Sequence, residues 1–399
     1  MQAKIIHRDE HSVSRKHFSE AARKVLYRLN SKGYIAYLAG GAVRDILLDR
    51  DPKDFDVVTE ARPNQIRKVF RNSRMIGRRF RLAHIYFHDE IIECATFRRQ
   101  VDEGEESSVK GGHFSRDEGM VVRDNVYGTP EEDALRRDFT VNALFYNIED
   151  FSVIDYVDGM RDLEDRLIRS IGDPRVRYTE DPVRMIRAIR FAAKLGFSIE
   201  EETYAAIKDK CKLIANASPA RMYEEVQKLF FCGNAERLFE YLEDSGLFEA
   251  IFPDIFAFVS EKKAEREWLL RVMRQLDKWR DAGKEIRPHL LFGLLFGPYI
   301  ESRAGLFKGG DQFARLRNSA TQTLNAMRDR VVIPKQIKYG VADIVCGQPR
   351  LSRGPKGKKA KRLVNRRGFA EAFIYFKLRS RHNGEHVSEA KQWESLLKK

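Results

Sequence analysis

The sequence predicts an α+β chain: a mixed β-sheet domain at the N-terminus followed by an all-helical remainder. Three observations carry that expectation. Strand and helix patterns alternate through the first ~150 residues, the signature of elements packed around one sheet. Beyond Asp162 nearly every stretch has helical periodicity, as in PVRMIRAIRFAAKLGF and PARMYEEVQKLFF. A chain of 399 residues with 43% hydrophobic content is also long enough for more than one core.

The elements follow in order. Phe18 to Leu29 is spaced as a helix with Ser19 as its N-cap, and Gly33 ends it. YIAYLA then reads as a short buried strand. Gly40-Gly41 turn the chain into a helix that runs through Leu48, and Pro52 closes it off. FDVVT begins a second strand, Pro63 to Phe70 is helical, and strands recur at Leu82 to Phe87 and Ile91 to Phe97. Arg99 to Gly119 is polar and without periodicity, a loop long enough to be either mobile or functional. FSVIDYV is the last expected strand. The resulting division is a sheet domain over 1–160, helical segments over 161–235 and 236–340, and a basic helical arm over 341–399.

Composition narrows the function. Aromatic content of 11% excludes wholesale disorder, and a formal net charge of +14 favours a polyanionic partner. The charge concentrates between Arg350 and Arg381, where Glu371 is the single acid. Apolar residues there at helical spacing argue for a partly folded arm in which Lys358, Lys359, Arg362, Arg366 and Arg367 touch phosphates, although basic surfaces also serve acidic proteins and membranes. No apolar run reaches the ~20 residues of a membrane span. The polar start has no signal-peptide core. Four scattered cysteines without a C-x-x-C pair read as reduced thiols. A cytoplasmic protein is the expectation.

The acids suggest the chemistry. Asp54 and Asp56 flank Phe55, and strand alternation puts both carboxylates on one face. Such a pair suits Mg²⁺ shared with substrate phosphates, although surface strands also carry D-x-D. Glu93, in the strand IIECATF, is placed to be a third carboxylate. Gly40 and Gly41, between a strand and a helix start, suit a phosphate group, or simply a tight turn. Arg44 and Asp45 read equally as a helix-start salt bridge. Two further clusters stand out: Arg136, Arg137, Asp138 and Asn142 in RRDFTVN, and Asp181 with Arg184, Arg187 and Arg190 in EDPVRMIRAIR. Arginines three apart on a helix repel unless they meet acids or phosphates, and an Asp–Arg pair can read a base edge.

These motifs, in this order, resemble class II of the nucleotidyltransferase superfamily, which includes bacterial poly(A) polymerases and tRNA CCA-adding enzymes. GGAVRDILL with KDFDVVT resembles its catalytic motif, RRDFTVNAL its ribose-contacting motif and YVDGMRDL its head-to-neck motif. EDPVRMIRAIRF resembles the base-selecting motif, and PARMYEEVQKLF the following neck helix. The resemblance covers roughly Lys24 to Phe252. It implies a nucleotidyltransferase head followed by helical neck, body and tail domains. It implies that Asp54 and Asp56 hold two Mg²⁺ ions (or Mn²⁺), with Glu93 as the third catalytic acid. Gly40, Gly41 and Arg44 are then expected at the triphosphate, and Arg137, Asp138 and Asn142 at the sugar and phosphates. Asp181 and Arg184, with Arg187 beside them, are expected at the base.

The implied reaction is addition of AMP from ATP to RNA 3′ ends. MIGRRFRLAHI, with Arg78 and Arg79 as RNA contacts, resembles the poly(A) polymerase pattern rather than that of CCA-adding relatives. Met75 departs from it mildly, where the pattern has a branched aliphatic residue. A CCA-adding, CC-adding or A-adding tRNA enzyme is the alternative, and a catalytically silent RNA-binding protein on the same fold is a second. RNA-decay or RNA-chaperone proteins as partners are implied by the resemblance only.

Overall fold

Short, widely separated strands build the sheet that positions the acids. The computed structural model describes residues 3–77, 81–100, 114–117, 120–124, 126–307 and 311–398, with backbone alone for the two segments between 114 and 124. It contains two units: Met1–Arg184 with Gly196–Lys210, and Met185–Leu195 with Cys211–Lys399.

In the first unit the elements are β1 (Lys4–Ile6), α1 (Glu20–Asn30), β2 (Ala36–Ala39), α2 (Gly41–Leu47), β3 (Asp56–Thr59), α3 (Pro63–Val69), β4 (Ser73–Ile76), β5 (Leu82–Tyr86) and β6 (Ile91–Thr96). They continue as β7 (Phe114–Asp117), β8 (Met120–Asp124), α4 (Pro130–Leu135), β9 (Leu144–Asn147), β10 (Val153–Asp155), α5 (Gly159–Glu164), β11 (Leu167–Ile168) and α6 (Pro174–Glu180). Helix α7 (Val183–Leu195) begins here, and β12 (Ser198–Ile199) and α8 (Glu201–Lys210) complete the unit.

Eight strands form one mixed sheet in the order β1-β10-β9-β2-β3-β6-β5-β4. Among the described residues only β3 and β6 pair in parallel within it, Asp56 opposite Glu93 and Val58 opposite Ala95. Helix α1 follows its N-cap, Ser19, whose hydroxyl accepts from Ala22 N, and it buries Ala22, Val25, Leu26 and Leu29. Phe55 is buried and packs on Phe18 just before α1. Asp54 and Asp56 stay exposed, so the residues alternate across the backbone as expected. Asp54 itself lies two residues before β3 begins.

The structure adds strands that the sequence did not announce. β1 reaches back to pair with β10, Ile5 opposite Ile154. β9 pairs with both β10 and β2, and β4 with β5. At the end of the stretch expected to be a long loop, β7 pairs with β8, which follows that stretch, as an antiparallel ribbon.

The second unit is helical: α9 (Pro219–Phe230), α10 (Ala235–Asp244), α11 (Leu247–Ile251), α12 (Pro253–Glu261), α13 (Lys263–Asp281), α14 (Pro288–Ala304), α15 (Gln312–Ala326), α16 (Lys335–Leu351), α17 (Gly357–Val364), α18 (Phe369–Asn383) and α19 (Val387–Leu397). α14 is buried on nearly every side, from Leu290 to Ile300. Glycines let its neighbours approach: a Cβ at Gly293 would stand 2.8 Å from Ile344 Cδ1.

The basic stretch from Arg350 to Arg381 is more folded than an arm. Leu351, Ala360, Phe369, Phe373, Phe376 and Trp393 form a core of their own. Trp393 Nε1 donates to Leu351 O at 2.9 Å. Among the described residues no helix is long and apolar enough to cross a membrane.

Candidate active site

A row of side chains crosses the sheet in register. Asp56 on β3 is opposite Glu93 on β6, and Glu93 is opposite His84 on β5. Residues in register share a face. His84 Nε2 lies 3.2 Å from Glu93 Oε1. The Asp56 carboxyl is pushed up to about 6, first by the surrounding protein, then by Glu93 and Asp54, against an opposing pull from Arg137. Glu93 and Asp54 thus add negative charge at Asp56, which a cation beside it would relieve, although among the described residues no three acid, histidine or cysteine side chains converge closely enough to hold a metal ion.

The glycine turn lies beside this row. Ala39, the last residue of β2, is opposite Asp56. Gly40 then has φ +69°, a left-handed conformation in which a side chain is strained, and its N–H donates to Leu144 O at 3.0 Å. A Cβ on Gly40 would stand 2.9 Å from an Arg137 terminal nitrogen, and one on Gly41 would stand 3.6 Å from Arg44. The missing side chain at Gly40 therefore admits the guanidinium of RRDFTVN, tying two motifs that are 97 positions apart.

Arg44 is buried (2% exposed) and turned into the protein. It donates to Asp45 Oδ1 through Nε at 2.8 Å and also bonds the Asn142 side-chain oxygen. The helix-start salt bridge is real, and Arg44 reaches beyond it to Asn142. Asn142 Nδ2 donates in turn to Asp138 Oδ1 at 3.2 Å, and the same oxygen accepts from Phe139 N at 2.9 Å.

Asp133 at the end of α4 anchors the arginines. It is fully buried and accepts from Arg136 Nε at 2.9 Å, from Arg137 at 3.2 and 3.0 Å and from Arg98 N at 3.1 Å. Although burial alone raises its pKa, Arg136 and Arg137 with the Arg98 N–H bring the net value down to about 2. Sequence reasoning passed over Asp133. The signal was its spacing: an acid three and four residues before two arginines at the end of a helix.

A second anchor joins this motif to EDPVR. Arg177, buried on α6, donates to the carbonyl of Arg137 at 2.9 Å, to Gln100 Oε1 at 2.7 Å and to Glu180 at 3.1 Å. Burial lowers its pKa to about 9, with Arg184 next among the causes. Gln100 Nε2 closes the ring on Glu180 at 2.7 Å. Arg184 donates to Arg136 O at 3.3 Å and lies 3.7 Å from Glu180. Asp181 is extended at the end of α6 and its carbonyl accepts from Arg184 N at 3.0 Å. Gln100 and Arg177 were not foreseen, because isolated polar residues carry no spacing signal.

The head-to-neck motif is structural. Asp155 accepts backbone N–H groups from Val157, Gly159 and Met160 at 3.0, 3.0 and 2.9 Å. A Cβ on Gly159 would stand 2.4 Å from Thr140 O, so YVDGMRDL is packed against RRDFTVN.

The remaining predicted contacts lie elsewhere. Arg187 belongs to the second unit, its guanidinium 5.5 Å from the centre of the Phe191 ring. Lys358, Lys359, Arg362, Arg366 and Arg367 are exposed in the second unit and make no ion pair among the described residues. Arg78 and Arg79 fall outside the described residues.

Known proteins place this geometry. Residues 36–169 match the poly A polymerase head domain, 196–259 the probable RNA and SrmB-binding site of polymerase A, and 308–398 the polymerase A arginine-rich C-terminus. Poly(A) polymerase I of Salmonella typhi is 43% identical over 98% of this chain and 84% of its own length. That of Haemophilus influenzae is 39% identical over 98% and 87%. A CCA-adding enzyme of Lactobacillus gasseri is 37% identical, over 58% of this chain and 55% of its own. Among solved structures, the Bacillus stearothermophilus CCA-adding enzyme in complex with CTP shares the fold, with a TM-score of 0.66 over 96% of this chain and 84% of that one at 23% identity. A sheet with this order, its acids in register and a helical remainder thus agree with likeness over the full length: the chain belongs to the poly(A) polymerase family of nucleotidyltransferases.

Proposed function

We propose that this protein adds AMP residues from ATP to the 3′ end of RNA without a template. The observation that carries this reading is the register of Asp56 with Glu93 beside the glycine turn, in a chain alike to poly(A) polymerases from end to end. Sequence likeness to the CCA-adding enzymes of Lactobacillus gasseri and Lactobacillus helveticus covers 58% and 64% of the chain, against 98% for the poly(A) polymerases, which favours poly(A) addition over tRNA end repair.

The residues divide the work. Asp54 and Asp56, with Glu93 adjoining, would hold two Mg²⁺ ions, which when bound supply a lowered pKa for the attacking hydroxyl and neutralise the leaving pyrophosphate. Gly40 and Gly41 open the start of α2 to the triphosphate. Arg137 is fixed beside them by Asp133 and the Asn142 carbonyl, so its positive charge is preorganised. Arg44 acts behind the turn, holding Asn142, which with Asp138 borders the sugar. Asp181 and Arg184 face the base, Arg184 held by Glu180 and the Arg136 carbonyl. The RNA 3′-hydroxyl attacks the α-phosphorus of ATP, a new phosphodiester forms, and pyrophosphate leaves. The exposed cations of α17 and the turn after it hold the RNA body, and Arg78 and Arg79 add contacts near the head. The reading places the protein in the cytoplasm, in RNA polyadenylation.

One assay tests it: the full chain with Mg²⁺, each labelled nucleoside triphosphate in turn, and either a generic RNA or a tRNA lacking its CCA end. Long A-tails on the generic RNA are expected. One to three nucleotides added only to tRNA would replace this reading with tRNA end repair, and no incorporation would leave an RNA-binding protein.

A further inference from the structure

One neutral side chain, Gln100, ties the strand of Glu93 to EDPVR, and no step of the reaction above uses it. Gln100 stands four residues past the end of β6. The backbone leading to it is anchored: Phe97 N donates to Thr59 O at 2.8 Å, Arg98 N to Asp133 at 3.1 Å and Arg99 N to Val126 O at 3.0 Å. The amide oxygen accepts from Arg177 Nη1 at 2.7 Å, and the amide nitrogen donates to Glu180 Oε1 at 2.7 Å. A guanidinium only donates and a carboxylate only accepts, so a single orientation of the amide serves both.

The consequence falls on Arg184. Arg177 and Glu180 are both buried, and Arg184 lies beside them as a second guanidinium on the same carboxylate. The two arginines also share an acceptor, since each donates to the carbonyl of Arg136. Glu180 is divided unequally between them: its Oε2 lies 3.1 Å from Arg177 Nη1 and 3.7 Å from Arg184 Nη1. Arg184 Nη1 is buried and makes no hydrogen bond. A guanidinium beside a carboxylate commonly forms a two-bond pair with it. Here that pair is not made, because Gln100 holds Oε1 and Arg177 holds Oε2.

We infer that Gln100 is a positioning residue for base choice: by holding Oε1 of Glu180 it keeps that carboxylate on Arg177 and leaves the Arg184 guanidinium to meet the base of the incoming nucleotide. Without Gln100, Glu180 turns onto Arg184 and takes the N–H donors that would otherwise reach acceptors on the base. This role rests on the reading of Arg184 as a base contact. A Gln100 that only satisfied a buried ion pair would affect stability and leave the preference between nucleotides unchanged.

The test is equilibrium binding of labelled ATP and CTP to the full chain with Mg²⁺ and without RNA, so that the result does not depend on the acceptor. Gln100→Met keeps the length of the side chain and removes both hydrogen bonds. The ratio of ATP to CTP affinity is expected to fall about tenfold in it, the order of one hydrogen bond to a charged group. Gln100→Glu keeps a partner for Arg177 but sets a second carboxylate against Glu180, and it should lower the ratio as well. Arg184→Ala should lose the preference by itself, and adding Gln100→Met to it should lower the ratio no further. Circular dichroism checks that each variant is folded. An unchanged ratio in folded Gln100→Met or Gln100→Glu overturns this role, as does a further fall on top of Arg184→Ala, or equal affinities in the native protein. An unchanged ratio in Arg184→Ala overturns the reading of Arg184 itself, and this role with it. A native preference for CTP would contradict adenylate addition, and its loss in Gln100→Met would still support the positioning role.

Discussion

Asp56 and Glu93 stand opposite each other on the parallel strands β3 and β6, and the Asp56 carboxyl holds its proton to about pH 6. In the unfolded chain an aspartate ionises near ~3.9. Between about pH 4 and 6 the folded state therefore keeps a proton that the unfolded state has lost. Stability from this group is full below pH 4 and drains away as pH rises through 6. Asp56→Asn should raise the melting temperature at pH 7.5 in metal-free buffer and have no such effect at pH 4. Mg²⁺ should raise the melting temperature of the native protein and leave that of the variant unchanged. Thermal scans at the two pH values, with and without Mg²⁺, check both expectations.

Gly40→Ala places a Cβ at a left-handed φ and 2.9 Å from Arg137. The backbone conformation alone, φ +69° with ψ −125°, costs a side chain on the order of 1–3 kcal/mol, and Arg137 must move. Incorporation kinetics should show a raised KM for ATP alongside a lower melting temperature. Gly41→Ala, whose added Cβ has a 3.6 Å neighbour, should be the milder change in the same two measurements.

Asp133 is buried between two arginines and a backbone N–H, and it ionises at about 2. Its stabilising effect is complete above the unfolded value near ~3.9 and is lost as pH falls through 2. Asp133→Ala leaves Arg136 and Arg137 without their shared partner and should cost about 3–5 kcal/mol at neutral pH. Denaturant unfolding measures it. A loss below about 0.5 kcal/mol, the scale of an ordinary surface change, would mean that the clamp is not formed.

Truncation from Leu351 would remove the core around Trp393, so charge changes are the appropriate probe of RNA binding. Replacing Lys358, Lys359, Arg362, Arg366 and Arg367 with Gln should weaken binding to unstructured RNA regardless of sequence. It should also flatten the salt dependence by about 0.7 in log–log slope for each phosphate left unneutralised. An unchanged slope would remove these residues from the RNA surface.

The legible parts of the fold were those with a local period. FDVVT and IIECATF announce strands because apolar residues alternate with Asp56 and Glu93, and α1 announces itself by its cap and spacing. β1 is three residues long and acquires its strand character by pairing with β10, some 150 positions away, which no local pattern encodes. β9 (Leu144–Asn147) follows directly on a motif read for its arginines and is only four residues long. Site residue types were legible in the same way, since acids and glycines cluster along the sequence. Their partnerships were not: that Arg137 fills the space at Gly40, or that Arg44 turns inward to Asn142, depends on bringing together segments about a hundred residues apart.

The central claim is nucleotidyl transfer at the acids of β3, and single substitution at Asp54 and Asp56 tests it most directly. With ATP, Mg²⁺ and a generic RNA, Asp54→Ala and Asp56→Ala should each lower AMP incorporation on the order of a thousandfold or more, because the cation charge worth several kcal/mol to the transition state loses its holder. Circular dichroism and melting should show that both variants remain folded. Near-normal incorporation by either folded variant would contradict the account.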